Sequence, residues 1–165
     1  MKKSKKNMTK WIQEIAKKQD IHTEIENKDD ADIIRYSFRL DNALSNVNVA
    51  IVIDNANGSI FAYSFVDANA GKHKNEVGEL LMRLNCNDAG AFWLDFDTGE
   101  ISYHIHAPIN SFENDEDLTS FLYISATHFD YWGDAIMKVI LGCISPKDAI
   151  DEVVKEDETD KSEEK

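Results

Sequence analysis

At 165 residues, with 42% apolar residues and sixteen aromatic side chains, the chain is long enough for one domain with a substantial core. Its net charge is −13, but the first 18 residues hold seven lysines against Glu14, so that stretch carries +6 and the remainder −19. An acidic body repels nucleic-acid phosphates and anionic membrane surfaces, and no stretch approaches the roughly 18 apolar residues of a membrane span, so neither duplex binding nor membrane insertion is expected.

Residues 1–7 read as a basic, disordered lead. A first helix follows over residues 8–19, where Met8, Trp11, Ile12, Ile15 and Ala16 recur at helical spacing and lysines take the other side. Three strands come next. Over residues 33–40, Ile34, Tyr36, Phe38 and Leu40 alternate with Arg35, Ser37 and Arg39, as a half-buried strand requires. Over 47–54, Val47, Val49, Ile51 and Ile53 share one face, and Asn55-Ala56-Asn57-Gly58 supplies turn chemistry. The third strand, 59–66, is ambiguous: Ile60, Ala62, Ser64 and Val66 compete with Phe61, Tyr63 and Phe65 for the buried side.

A second helix is expected over 73–85, with Val77, Leu80, Leu81 and Leu84 as its apolar stripe and Asn85 as its stop. A hairpin follows. Phe92, Leu94 and Phe96 are expected to point inward, Asp97-Thr98-Gly99 to turn, and Ile101, Tyr103 and Ile105 to point inward again. A third helix covers 115–143, with Gly133 as a point of bending or breakage. Ser145-Pro146-Lys147-Asp148 restarts a helix, because Ser145 is an N-cap, Pro146 suits the first helical position and Asp148 completes a capping-box-like pattern. One domain therefore spans 8–154, and 155–165, charged and without apolar residues, is expected to be a disordered acidic tail.

The order is α-βββ-α-ββ-α. Hairpin-linked strands separated from helices imply an α+β fold, an antiparallel sheet of about five strands with helices on one face.

The residues Glu79-Leu80-Leu81-Met82-Arg83-Leu84-Asn85, followed by the run from Gly90-Ala91-Phe92 through Asp97-Thr98-Gly99, resemble the YbjN family. The signature is a helix ending in Leu-Asn, then a glycine and phenylalanine opening a strand, then an acidic-glycine hairpin. The element order over about 8–150 is similar to the fold that family shares with type III secretion chaperones. The resemblance implies a bacterial, cytoplasmic protein with regulatory or chaperone-like binding of other proteins. It brings no catalytic residue.

Most catalytic patterns are missing from the sequence itself. There is no G-x-S-x-G, no H-E-x-x-H and no phosphate-cradling glycine loop. Cys86 and Cys143 lie far apart, form no C-x-x-C and are expected to be mostly buried thiols of a reducing compartment. The lysine-rich start is followed by no apolar export region, since Gln13 and Glu14 interrupt it. Both observations point to the cytoplasm. Asp95, Asp97 and Glu100 lack calcium-loop spacing and are explained by the hairpin turn.

Two constellations remain. His104 and His106 share a strand face and would form a metal site with Asp95 as third ligand, the basis of an alternative reading as a metal-dependent enzyme; the plainer reading is two surface histidines. Phe61, Tyr63, Phe65 and Trp93 fall out of phase with the alternating runs beside them. On the outer face they would form an exposed apolar patch, and such patches mark interaction sites, unless a dimer partner or the last helix covers them. The expectation is a non-catalytic protein-binding module, a homodimer without cofactor, engaging a protein or peptide through that patch.

Overall fold

Two-residue alternation sets the framework of the molecule. The computed structural model describes residues 7–28, 30–85 and 90–163, with helices α1 (Met8–Lys18), α2 (Lys74–Leu84), α3 (Asp115–Ile140) and α4 (Pro146–Glu163). Strands β1 (Glu24–Asn27), β2 (Ala31–Arg39), β3 (Asn46–Asp54), β4 (Ser59–Asn69), β5 (Ala91–Leu94) and β6 (Glu100–Pro108) form one antiparallel sheet in the order β1-β2-β3-β4-β6-β5. The α+β class holds, with six strands rather than five. The additional strand is β1, whose sequence Glu-Ile-Glu-Asn carries no alternating apolar run and which pairs with β2 at the sheet edge.

The inner face of the sheet carries the core. Ile34, Val47, Ile51, Ile53, Ile60, Ile101 and Tyr103 are enclosed between it and the helices, together with Ile12, Leu80, Leu118, Phe129 and Ile136. Fully burying one such aliphatic or aromatic side chain contributes roughly 1.5–3 kcal/mol. Polar contacts orient the helices on this layer. The Tyr36 hydroxyl donates to the Leu122 carbonyl at 3.0 Å, the Trp11 indole N–H donates to one Asp115 carboxylate oxygen at 2.7 Å, and Lys18 reaches the other at 2.6 Å. Thr9 bonds Asp32, tying α1 to β2.

Local chemistry accounts for the helix ends. Asn114 caps α3 in a reciprocal capping box with Asp117, and the helix stops in a Schellman motif: the Gly142 amide (φ +70°) bonds Val139, and the Cys143 amide bonds Lys138. The helix therefore ends at Ile140 rather than at Cys143. Ser145 caps α4 through the Asp148 amide at 3.2 Å, as its position predicts.

Several expectations are corrected. Gly133 does not break α3, which runs on through it to Ile140. Its missing Cβ would lie 2.3 Å from Asn42 Nδ2, whose amide donates to the Phe129 and Asp130 carbonyls; glycine is there to admit the β2–β3 loop. The same loop is held by Asp41 and Ala43 amides donating to Asp130 and Asp134. The acidic stretch from 155 onward is helical through Glu163 instead of disordered, because it extends a helix already capped and packed at Ala149, in residues of high helix propensity such as Lys and Glu. Phe96 is 56% exposed rather than inward: β5 ends at Leu94, and the turn that starts at Asp95 breaks the alternation. Cys143 is exposed in the α3–α4 turn, not buried. Cys86 and residues 1–6 of the expected basic lead lie outside the described residues.

Candidate functional site

The ambiguity of β4 is resolved by side-chain size. α3 packs close to β4, so its inner face holds Ile60, Ala62, Ser64 and Val66, two of them among the smallest side chains available. The bulky Phe61, Tyr63 and Phe65 are thereby placed on the outer face, which no described helix covers. Trp93 joins them from β5. Tyr63 is 39% exposed, Phe65 38% and Trp93 56%, so three of the four aromatic candidates are exposed to water, with Phe61 half-buried.

Register brings these residues side by side. Tyr63 lies opposite His104, Phe61 opposite His106, and Phe65 and Trp93 flank Ser102 from either side. The His106 ring stacks on Phe61 at 4.5 Å between centroids, and the His104 ring stacks on Trp93 at 5.2 Å and meets Tyr63 edge-on at 5.0 Å. Each imidazole thus sits against its own aromatic neighbour. His104 Nε2 lies 3.0 Å from the Ser102 hydroxyl, and partial burial pushes its pKa below the usual imidazole range, with the Glu100 charge opposing. Histidine and aromatic rings in this arrangement offer flat apolar surface with a few polar edges.

The proposed metal triad is not assembled. Asp95 turns its carboxylate into the hairpin, where the Thr98 and Asp97 amides donate to it and hold it below the usual carboxylate range. Among the described residues no group of three or more His, Cys, Asp or Glu side chains is arranged to hold a metal ion.

The edge beside Trp93 carries a feature that pattern reading missed. Asn85, at the C-terminal end of α2, donates its side-chain amide to the Phe92 carbonyl at 2.9 Å and accepts from the Phe92 amide at 2.7 Å. In an antiparallel ladder a residue whose N–H and C=O point away from its partner strand faces the free edge, so Asn85 occupies the position a further strand would take. Gly90 is equally constrained, since a Cβ there would come within 2.7 Å of the His104 carbonyl and the Ile105 and Tyr103 side chains. The Leu-Asn and Gly-x-Phe residues of the sequence signature are therefore a structural clasp that ties β5 to the end of α2. The only trace of it in the sequence is an asparagine at a helix end. Between this edge and α2 runs an open apolar groove lined by Leu81, Met82, Trp93, Leu94 and Phe96.

No protein-family model matches the chain, and no curated protein matches it. Among the described residues no helix is long and apolar enough to cross a membrane.

Proposed function

We propose that the chain is a non-catalytic protein-binding module, of the chaperone-like or regulatory kind that its resemblance to the YbjN family implies. The observation that carries this reading is the cluster of Tyr63, Phe65 and Trp93 on an uncovered sheet face. Large aromatic side chains are energetically poor choices for a wet surface, and contiguous exposed apolar area is characteristic of interaction sites. The edge groove continues this surface through Trp93, Met82 and Phe96. The strong negative charge keeps a molecule with such a surface soluble between binding events.

The test is affinity capture with the wild-type chain and with a Phe65→Ser, Trp93→Ser variant of matched thermal stability. A protein partner retained by the wild type and lost by the variant supports the reading. An identical set of captured proteins from both contradicts it.

A further inference from the structure

The charge around the aromatic face narrows the kind of partner. By register, the carboxylates on this face are Glu24 and Glu26 at the β1 edge, Asp54 at one end of the strands and Glu100 at the other; Asp67, in the irregular stretch of β4 between Phe65 and Asn69, keeps the exposed phase of Phe65. Against them, among the described residues, stand Arg35, Arg39 and Lys28, and Glu26 is held by both Arg35 at 3.0 Å and Lys28 at 3.3 Å. An apolar centre is thus bordered by more carboxylates than cations. The border is sharpest beside Phe65 and Trp93, which stand on either side of Ser102, about two strand spacings or ~10 Å apart at the backbone, with Asp67 following Phe65 along β4 and Glu100 preceding Ser102 along β6. Aromatic faces next to carboxylates attract cationic side chains by both the ring quadrupole and the charge.

The two sheet edges are poor templates for a different mode of docking. Asn85 occupies the outward groups of Phe92 on β5, and β1 presents Glu24 and Glu26, so a partner is received on the face rather than added as a strand. A second copy of this chain brings the same acidic rim and a net charge of −13, which opposes face-to-face pairing.

Resting on the binding reading above, we propose that the occupant of this face is a basic polypeptide segment, one that sets Lys or Arg side chains over Phe65 and Trp93 within reach of Asp67 and Glu100 while its apolar residues cover Tyr63 and Phe61.

The experiment uses the whole chain and two labelled synthetic peptides with the same apolar core residues, one flanked by Lys and Arg, the other by Glu and Asp. The basic peptide is expected to bind at least ~tenfold more tightly, with the preference shrinking as salt rises from about 50 to about 500 mM. Trp93→Ala and Phe65→Ala weaken its binding. Asp67→Asn with Glu100→Gln weakens it too, whereas Glu156→Gln on α4, in the helical layer away from this face, leaves it unchanged. Equal loss from Glu156→Gln would assign the attraction to the whole acidic body and overturn the proposal, as would equal or tighter binding of the acidic peptide, or a dimer that disperses on Trp93→Ala. Should neither peptide bind while affinity capture still depends on Phe65 and Trp93, the basic partner is wrong and the binding face stands. Should capture be indifferent to those residues as well, both readings fall.

Discussion

Phe92 and Trp93 are neighbours in one four-residue strand, yet they belong to different worlds. Phe92 is 4% exposed and packs edge-on against Tyr103 and Phe129, while Trp93, 56% exposed, stacks on His104 above open solvent. The same division runs through the whole sheet. Its inner face is locked beneath the helical layer, and its outer face holds exposed aromatic side chains. Hydrophobicity alone does not choose the side; the space left by the helices does, which is why β4 turns Ala62 and Ser64 inward and Tyr63 and Phe65 outward.

The contrast can be broken most forcefully at that pair. Phe92→Ala is expected to cost about 3–5 kcal/mol in chemical denaturation, because it leaves a cavity between sheet and α3. Trp93→Ala is expected to cost under ~1 kcal/mol, the scale of one cross-strand pair. Comparable losses from both would mean that the two faces are not distinct in energy.

The clasp at the edge comes next. Asn85→Ala leaves the Phe92 amide and carbonyl without their side-chain partner, and a loss of about 1–3 kcal/mol is expected, accompanied by concentration-dependent self-association through the uncovered edge in analytical ultracentrifugation. A variant that stays monodisperse at wild-type stability would show that the edge needs no guard.

Gly133→Ala sharpens the comparison on the helical side. Helix propensity alone favours alanine by ~1 kcal/mol, but the new methyl would press on an Asn42 side chain fixed by hydrogen bonds to α3 and to the Leu44 amide, so a net loss of about 1–2 kcal/mol is expected in thermal melts. A rise in melting temperature would show that the loop yields freely.

His104 gives the smallest effect. Burial lowers its pKa in the folded protein, so the unfolded chain takes up a proton first as pH falls below the ordinary value of about 6.5. The folded state then loses stability progressively down to the lowered folded value, and regains it as pH rises. Around the ring stand Ser102, Tyr63 and Trp93, with Glu100 opposing the shift. The drop in melting temperature between about pH 7.5 and about pH 5.5 is expected to be smaller in His104→Gln than in the wild type. An equal drop would place the acid sensitivity elsewhere.

Much of the framework was legible because strands β2, β3 and β6 carry strict alternation and α1 to α3 carry apolar residues at helical spacing. What escaped was carried by backbone or by isolated polar groups. β1 pairs with β2 through main-chain bonds and has only Ile25 as an apolar residue. The docking of the β2–β3 loop on α3 depends on Asn42, Asp130 and Asp134, which form no periodic pattern. The phase of β4 was undecidable because both of its faces read as apolar. For the candidate site, the four aromatic residues and the two histidines were all visible in the sequence, but their meeting across three strands depends on β6 inserting between β4 and β5, an order that local patterns do not encode.

Hydroxyl-radical footprinting of the free full-length chain reads the two faces at once. Rapid oxidation of Tyr63, Phe65 and Trp93, with Phe92 and Tyr103 protected, is the predicted result. Protection of the first three to the level of Phe92 would mean that the outer face is already covered, and would contradict the account.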